Sequence, residues 1–231
     1  MDAFLRRWDR RLDDPHSDKR QLYDQIHASD HSSAVLWRLA RVSLLFADAF
    51  EKRGQREDCE RAVKEAVDFG SRAVQLSPES LDCNKWYCAA VGRFAAFVSV
   101  KERIRFGHVF QKHARIALDV DPNDRVMNHL YGRWCYHVSA LSFFERRIAA
   151  AFIAKPPESS YSQALEALLR ANSSHDWIAN HLWISKALIA DKRPQESAQY
   201  VKRGLELKPR TEEDELSRKE LLFLREKLAF D

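Results

Sequence analysis

The sequence predicts an all-α fold, and three observations lead to that prediction. Apolar residues recur at the three- and four-residue spacing of amphipathic helices along most of the 231 residues. Valine and isoleucine do not form the alternating runs that are typical of strands. Six glycines and seven prolines are few for a fold built from strands and tight turns. The length suits one domain or one short array of repeats.

Residues 1–30 are expected to form an N-terminal helical cap. Apolar side chains of the first helix share one face, and the segment Asp13-Asp14-Pro15 ends that helix. Ser17 is the predicted N-cap of a second helix that runs to about His27. Stacked arrays need a covering helix at each end, which favours the capping role. The alternative is a basic helix that binds a partner, through Arg6, Arg7, Arg10 and Arg11.

Residues 31–231 are expected to form about four helix pairs and a C-terminal capping helix. N-cap residues, glycines and prolines set the predicted bounds. The predicted helices are Ser32 or Ser33 to Gly54, Glu57 to Leu76, Leu81 to about Ser99, Lys101 to Val120, Asn123 or Asp124 to about Ser139, Phe143 to Ala154, one from Ser159 or Ser160, 176–190, 194–207, and Thr211 to about Leu228.

The helix pairs look like divergent repeats. Ser185 to Pro209 spans 24 residues, the interval from the small residue to the proline in a tetratricopeptide repeat. Longer intervals in the other pairs indicate lengthened helices or inserted turns. Gly92 and Gly132 lie among aromatic and aliphatic residues, which predicts close helix packing at both. We therefore expect a right-handed superhelical array of tetratricopeptide-like helix pairs with terminal capping helices.

A base follows the small residue in each pair and is expected on the inner, concave face. This basic ladder consists of Arg41, Arg93, Arg133 and Lys186. Two interpretations stay open: the bases form a positive groove that binds an acidic, extended peptide, or each base pairs with an acidic neighbour inside the array. A second basic patch is predicted at Lys101, Arg103 and Arg105.

Residue patterns that carry catalysis or bind metals are missing from the sequence. No phosphate-binding glycine loop, nucleophile elbow or H-E-x-x-H motif occurs. The four cysteines form no C-x-x-C and lack histidines at zinc-ligand spacing, so we expect no enzyme, cofactor, metal or disulfide. Asn84, Asn128 and Asn180 resemble the asparagines with which some repeat domains clamp a C-terminal carboxylate, although their spacing to the bases does not match.

Charge and hydropathy narrow the expected partners. The net charge of +4 is mildly basic and permits an acidic partner, whereas nucleic-acid binders concentrate charge more strongly. No apolar run approaches the roughly 18–20 residues that cross a bilayer, and the first residues lack the apolar region of a signal peptide. We therefore expect no membrane span, no secretion and no nucleic-acid partner.

Five segments in order between about residues 34 and 220 resemble the regulator of microtubule dynamics family. They are Leu36-Trp37-Arg38-Leu39-Ala40-Arg41, Lys85-Trp86-Tyr87, Gly132-Arg133-Trp134-Cys135-Tyr136, Pro156-Pro157-Glu158-Ser159-Ser160-Tyr161 and Thr211-Glu212-Glu213-Asp214. The resemblance implies a tetratricopeptide-like domain that associates with microtubules and spindle poles and supports chromosome segregation. It also implies that some relatives carry an N-terminal membrane anchor, and that one branch is a phospholipid-binding tether between organelles. The family has no catalytic motif.

The leading hypothesis is a non-enzymatic microtubule-associated protein. We expect it in the cytoplasm, on the cytoskeleton at the spindle and spindle poles, binding the acidic tails of tubulin through its basic surfaces, as a monomer. One alternative is a lipid-binding module whose groove holds an apolar ligand while the bases hold its phosphate. The other is an adaptor that binds a helix or tail of another protein.

Overall fold

The fold is described by a computed structural model that covers residues 2–141, 157–172 and 176–228. Within these ranges the chain forms eleven α-helices and no strand, which confirms the all-α class. The predicted helix from Phe143 to Ala154 lies outside the described residues. The chain divides into two compact units, Met1–Val120 (unit 1) and Asp121–Asp231 (unit 2). The expected division into a cap of residues 1–30 and a repeat domain of residues 31–231 stays a prediction.

Unit 1 is a series of antiparallel helices joined by short turns. The helix α3 packs against α4, α4 against α5, and α5 against α6, while α1 and α2 pack against α3. A core of apolar side chains from the first five helices includes Trp8, Ile26 and Leu36. The helices of unit 1 are α1 (Asp2–Asp13), α2 (Lys19–His27), α3 (Ser33–Lys52), α4 (Arg56–Leu76), α5 (Leu81–Phe94) and α6 (Val100–Val120).

Unit 2 continues the same scheme with its own core. The helix α7 packs against α8, α8 against α9, and α9 against both α10 and α11. Because α9 has neighbours on several sides, its residues are buried almost throughout, including Leu182 and Ile184. The helices of unit 2 are α7 (Arg125–Ser139), α8 (Tyr161–Ala171), α9 (Ile178–Ala190), α10 (Pro194–Glu206) and α11 (Glu212–Leu228).

Several helix ends lie where the capping signals predict them. Gly54 has a positive φ of 72°, which a glycine adopts without strain just after the end of α3. Ser160 caps α8 in a complete capping box with Gln163. Thr211 and Asp214 exchange hydrogen bonds at the start of α11, each side chain accepting from the other residue's backbone N–H. These local hydrogen bonds satisfy backbone donors that the first helical turn leaves without partners.

Two predicted helix ends were wrong, one at the start of α2 and one at the end of α5. Asp18, not Ser17, caps α2: its carboxylate accepts from the Gln21 backbone N–H at 2.9 Å. The helix α5 ends at Phe94, before the predicted end near Ser99. Ser99 instead exchanges hydrogen bonds with Glu102, so it belongs to the start of α6.

Close helix packing at a glycine is confirmed at Gly132 and wrong at Gly92. A Cβ at Gly132 would lie 2.5 Å from Cγ of Leu168 and 3.0 Å from the carbonyl oxygen of Ala164, so α7 and α8 approach at this point because there is no side chain. A Cβ at Gly92 would lie 3.8 Å from the Phe110 ring, which is ordinary contact. Sequence reasoning also missed the close approach of α4 and α5 at Gly70.

Candidate functional site

The basic ladder predicted from the sequence divides between the two units. Arg41 and Arg93 lie in unit 1, and Arg133 and Lys186 lie in unit 2. All four form ion pairs with carboxylates of their own unit, and their side chains are between 17% and 28% exposed. This geometry matches the interpretation in which each base pairs with an acidic neighbour. Binding of a partner by these four residues stays a prediction.

In unit 1 the ladder arginine of α3 is held between a carboxylate and an aromatic ring. Arg41 forms an ion pair with Asp13 of α1, and its guanidinium lies 4.9 Å from the centroid of the Trp86 ring on α5. The cation therefore gains both a charge-assisted hydrogen bond and an attraction to the indole ring. It links α1, α3 and α5.

The charge of Arg93, the second ladder base of unit 1, is also neutralised by carboxylates of the same unit. Its Nη2 lies 3.1 Å from Oδ1 of Asp48 and 2.9 Å from Oε2 of Glu51, both on α3. Burial opposes the charge of Arg93, but the two carboxylates outweigh burial and raise its pKa. Arg93 therefore acts as a charged link between α5 and α3.

In unit 2 a single indole ring contacts both ladder bases. Arg133 of α7 and Lys186 of α9 lie 4.8 and 4.5 Å from the centroid of the Trp183 ring. Helix α11 supplies their carboxylates: Glu213 pairs with Arg133 at 3.2 Å, and Glu220 pairs with Lys186. In unit 2 the last helix thus supplies the acids for both ladder bases, as α1 does for Arg41 alone in unit 1.

The predicted second patch differs from the ladder in its exposure and in its lack of carboxylate partners. Lys101, Arg103 and Arg105 are exposed on α6, and none forms an ion pair with a described carboxylate. Two further exposed bases of the same helix, which sequence reasoning missed, also lack such a pair. We call the set the α6 cationic face: Lys101, Arg103, Arg105, Lys112 and Arg115.

Four bases of the α6 cationic face share one side of the helix, while Arg103 projects about 200° around the helix from Lys101. Lys101, Arg105, Lys112 and Arg115 follow the spacing of one helical stripe, which spans about 21 Å at a rise of about 1.5 Å per residue. From Arg103 to Leu118 the sequence contains no acidic residue. The i, i+4, i+11, i+14 spacing was the available signal for the two missed bases. Within unit 1, α6 packs against α5 alone among the described helices, so the stripe stays open.

The three asparagines have a structural role that excludes carboxylate clamping. Asn84, Asn128 and Asn180 are at most 1% exposed. Asn84 donates to the carbonyl oxygens of Pro78 and Ser80 at 2.6 and 2.8 Å, and Asn128 repeats this pattern one helix pair later. Their amides fix the turns that join successive pairs and are inaccessible to a peptide.

Two of these asparagines also accept hydrogen bonds from histidines, the buried His129 and the half-buried His113. The Nδ1 atom of His129 lies 2.8 Å from Oδ1 of Asn180, and that of His113 lies 2.6 Å from Oδ1 of Asn84. Since an amide oxygen only accepts, each Nδ1 carries the proton. Burial lowers the pKa of both histidines, that of His129 to about 3, with Arg133 adding to the effect. Neither histidine is a base with an accessible substrate.

Groups that could support other chemistry are sparse in the described ranges. All four cysteines are buried free thiols, and burial raises the pKa of each. The described residues contain no cluster of three or more histidine, cysteine or carboxylate side chains that could hold a metal ion. None of the described helices combines the length and the hydropathy that crossing a bilayer requires.

The chain is similar in sequence to proteins of one described family. The family model described as Regulator of microtubule dynamics protein 1-3 matches residues 4–229. Regulator of microtubule dynamics protein 2 of Mus musculus is 28% identical over 202 residues, 87% of this chain and 48% of that protein. Regulator of microtubule dynamics protein 1 of Bos taurus is 29% identical over 197 residues, 84% of this chain and 61% of that protein. The chain thus spans about half the length of these relatives.

Proposed function

Because the chain belongs to the regulator of microtubule dynamics family, we propose that it is a non-enzymatic microtubule-binding protein whose α6 cationic face binds the acidic tails of tubulin. In this proposal it acts as a monomer on the cytoskeleton, at the spindle and its poles, and supports chromosome segregation. The observation that carries the binding mode is the set of five exposed bases on one helix without carboxylate partners.

The position of these bases is easier to explain by binding than by stability. Lys101, Arg103 and Arg105 lie in the first two turns of α6, where the helix dipole is positive. A cation at this end costs on the order of 0.3–1 kcal/mol, and the same potential attracts an anion. Glu102 in the first turn offsets part of this cost, but none of these bases forms an ion pair with a described carboxylate, so the arrangement favours an external acidic partner over the stability of the helix.

The expected binding mode is an extended acidic peptide lying along the stripe. Exposed ion pairs contribute up to about 1 kcal/mol each, so several simultaneous contacts are needed for useful affinity. The charges are screened beyond about 8 Å near 0.15 M salt, and binding should therefore weaken as salt is raised.

Co-sedimentation with stabilised microtubules tests this proposal. In the test variant, four bases of the stripe are reversed: Lys101→Glu, Arg105→Glu, Lys112→Glu and Arg115→Glu. The matched control carries the same change of charge on exposed bases of unit 2: Lys208→Glu, Arg210→Glu, Lys219→Glu and Lys227→Glu. We expect the α6 variant to bind at least about tenfold more weakly, which is about 1.4 kcal/mol, and the control to retain most of the affinity. Equal losses in the two variants would overturn the α6 assignment, because net charge alone would then explain binding.

The lipid alternative is supported by one specific feature of unit 2. An open groove of about 440 Å³ between α10 and α11 has apolar walls that include Val201, Leu205 and Leu228, and Lys202 and Arg225 also line it. An apolar site with a few charged groups suits a ligand that has an anionic head and an apolar body. Native mass spectrometry of the purified protein checks this alternative, since a co-purifying lipid would add its mass.

A further inference from the structure

Helix α1 separates its charges between two faces. Its inner face carries the buried Trp8 and Leu12, which are 2% and 3% exposed. Asp9 of the same face binds Arg38 of α3 through two parallel hydrogen bonds, Nε to Oδ1 at 2.8 Å and Nη2 to Oδ2 at 2.6 Å. Asp13 pairs with Arg41, as described above. Both of these acids are therefore paired with arginines of α3.

Three exposed bases lie on the outer face of α1. Arg6, Arg7 and Arg10 are exposed, and none has an ion pair or hydrogen bond with a described residue. Arg11 behaves differently, since it donates to the side chains of Gln21 and Gln25 on α2. These three exposed arginines of α1 therefore make no described ion pair or hydrogen bond that would stabilise unit 1.

This second set of bases lies on the other terminal element of unit 1. The helix α1 packs against α2 and α3, whereas α6 packs against α5. The two cationic surfaces are thus carried by the first and last helices of the unit and share no helical neighbour. A ligand on one surface does not need to displace a ligand on the other.

We infer that the outer face of α1, formed by Arg6, Arg7 and Arg10, is a second and independent binding surface for an acidic polypeptide, so that unit 1 binds two acidic tails. This inference rests on the proposed function and extends it to the number of tails that one chain engages. Two weak sites on one rigid unit raise the affinity for a polymer that displays many tails, because the second binding event becomes intramolecular.

A polypeptide fits this face better than a membrane does. A helix that lies in a bilayer interface needs an apolar face to insert between the lipids. The apolar residues Trp8 and Leu12 are buried in the protein, and Phe4, which is 55% exposed, is the one large hydrophobic residue that α1 leaves strongly exposed within the described residues. Guanidinium groups, in contrast, match carboxylates in planar, paired hydrogen bonds.

The number of bound peptides per chain tests the inference. A short, fluorescently labelled polyglutamate peptide is titrated against the full chain at low salt, and the stoichiometry is read by calorimetry and by native mass spectrometry. We expect two peptides for the native chain, one for the variant Arg6→Glu, Arg7→Glu, Arg10→Glu, one for the α6 variant, and none when the changes are combined. The α1 variant should melt close to the native temperature, since its three arginines are exposed and form no described ion pair.

The outcomes separate this inference from the proposed function. One peptide per native chain, lost in the α6 variant and unchanged in the α1 variant, would overturn the second site and leave the α6 site standing. Peptide binding that survives in the α6 variant and fails in the α1 variant would contradict the proposed function instead. Binding to phosphatidylserine vesicles that requires the α1 arginines, with one peptide per chain, would assign the face to a membrane and overturn the inference. With microtubules, the α1 variant should lose at least about tenfold in affinity.

Discussion

The two units build the same link from opposite ends of the chain. In unit 1 an arginine of α3, Arg41, lies against the Trp86 ring and takes its carboxylate from the first helix of the unit. In unit 2 an arginine of α7, Arg133, lies against the Trp183 ring and takes its carboxylate from the last helix. The base that follows a small residue is therefore used, in both units, to attach a terminal helix.

The units differ in what remains after these pairs are formed. Unit 1 keeps one helix whose bases have no acids among them, from Arg103 to Leu118, and a terminal helix whose outer face carries arginines. The exposed bases of α10 and α11 in unit 2 alternate with glutamates, which include Glu206, Glu215 and Glu226. Net charge does not show this contrast, because it counts paired and unpaired bases alike. The distribution of acids along each helix decides which surface can attract an acidic partner.

The largest expected effect is the loss of the acid that holds the N-terminal helix. Asp9→Ala removes both hydrogen bonds that Arg38 makes to a carboxylate, and leaves this buried cation, whose side chain is 7% exposed, with the Ala34 carbonyl and the Trp37 ring as described partners. We expect unit 1 to lose about 3 kcal/mol in its free energy of unfolding, measured by denaturant titration. The matched change in unit 2 is Glu213→Ala, where the pair is 26% and 37% exposed, so the loss should stay at or below about 1 kcal/mol. Equal losses in the two variants would show that the terminal helices are held in the same way after all.

Substitution by alanine tests the contrast between Gly132 of unit 2, where two helices approach closely, and Gly92 of unit 1, where they do not. Gly132→Ala places a Cβ against Leu168 and the Ala164 carbonyl oxygen, and we expect a net loss of about 2 kcal/mol because α7 and α8 must separate. Gly92→Ala meets only ordinary contact at Phe110. It should therefore stabilise α5 by up to about 1 kcal/mol through helix propensity. Thermal unfolding of both variants gives the two signs, and destabilisation by Gly92→Ala would show a constraint on α5 beyond these contacts.

A smaller effect is expected from acid on unit 2. His129 has a folded-state pKa of about 3, whereas an unfolded histidine titrates near 6.5. As the pH falls below about 6.5 the unfolded state binds a proton that the folded state refuses, so the stability contribution is present at neutral pH and is lost towards pH 3. Between pH 7 and pH 5.5 the free energy of unfolding should fall by about 1 kcal/mol.

The variant His129→Gln isolates this contribution, since glutamine keeps a donor and does not titrate. Its free energy of unfolding should change less with pH over the same interval than that of the native chain, whatever its value at pH 7. The same slope in the native chain and the variant would mean that His129 is not the titrating group. His113 of unit 1, whose pKa burial also lowers, is the natural comparison.

The sequence was sufficient for the features that depend on neighbouring residues. Helix existence and most helix ends followed from periodicity and caps, as at Ser160 and Gly54. The ion pairs of the basic ladder did not follow from such local patterns, because the acids are remote in sequence. Glu213, for example, lies 80 residues from Arg133. No local pattern distinguishes an open base from one that a distant helix will cover. The spacing of the α6 bases and the lack of acids among them are local, so the sequence was sufficient to identify the stripe as a candidate, and the structure shows that these bases are exposed.

The contact between the α6 cationic face and the tails of tubulin is tested by combining the α6 variant with the removal of those tails. Native chain and α6 variant are each sedimented with intact microtubules and with microtubules whose tails subtilisin has removed. If the α6 cationic face binds the tails, removing the tails weakens the native chain at least about tenfold and weakens the α6 variant by a smaller factor, because only the α1 arginines then remain to bind a tail. If tail removal and charge reversal instead weaken binding independently, so that their losses add, the bases of α6 and the tails of tubulin do not contact each other and the account is wrong.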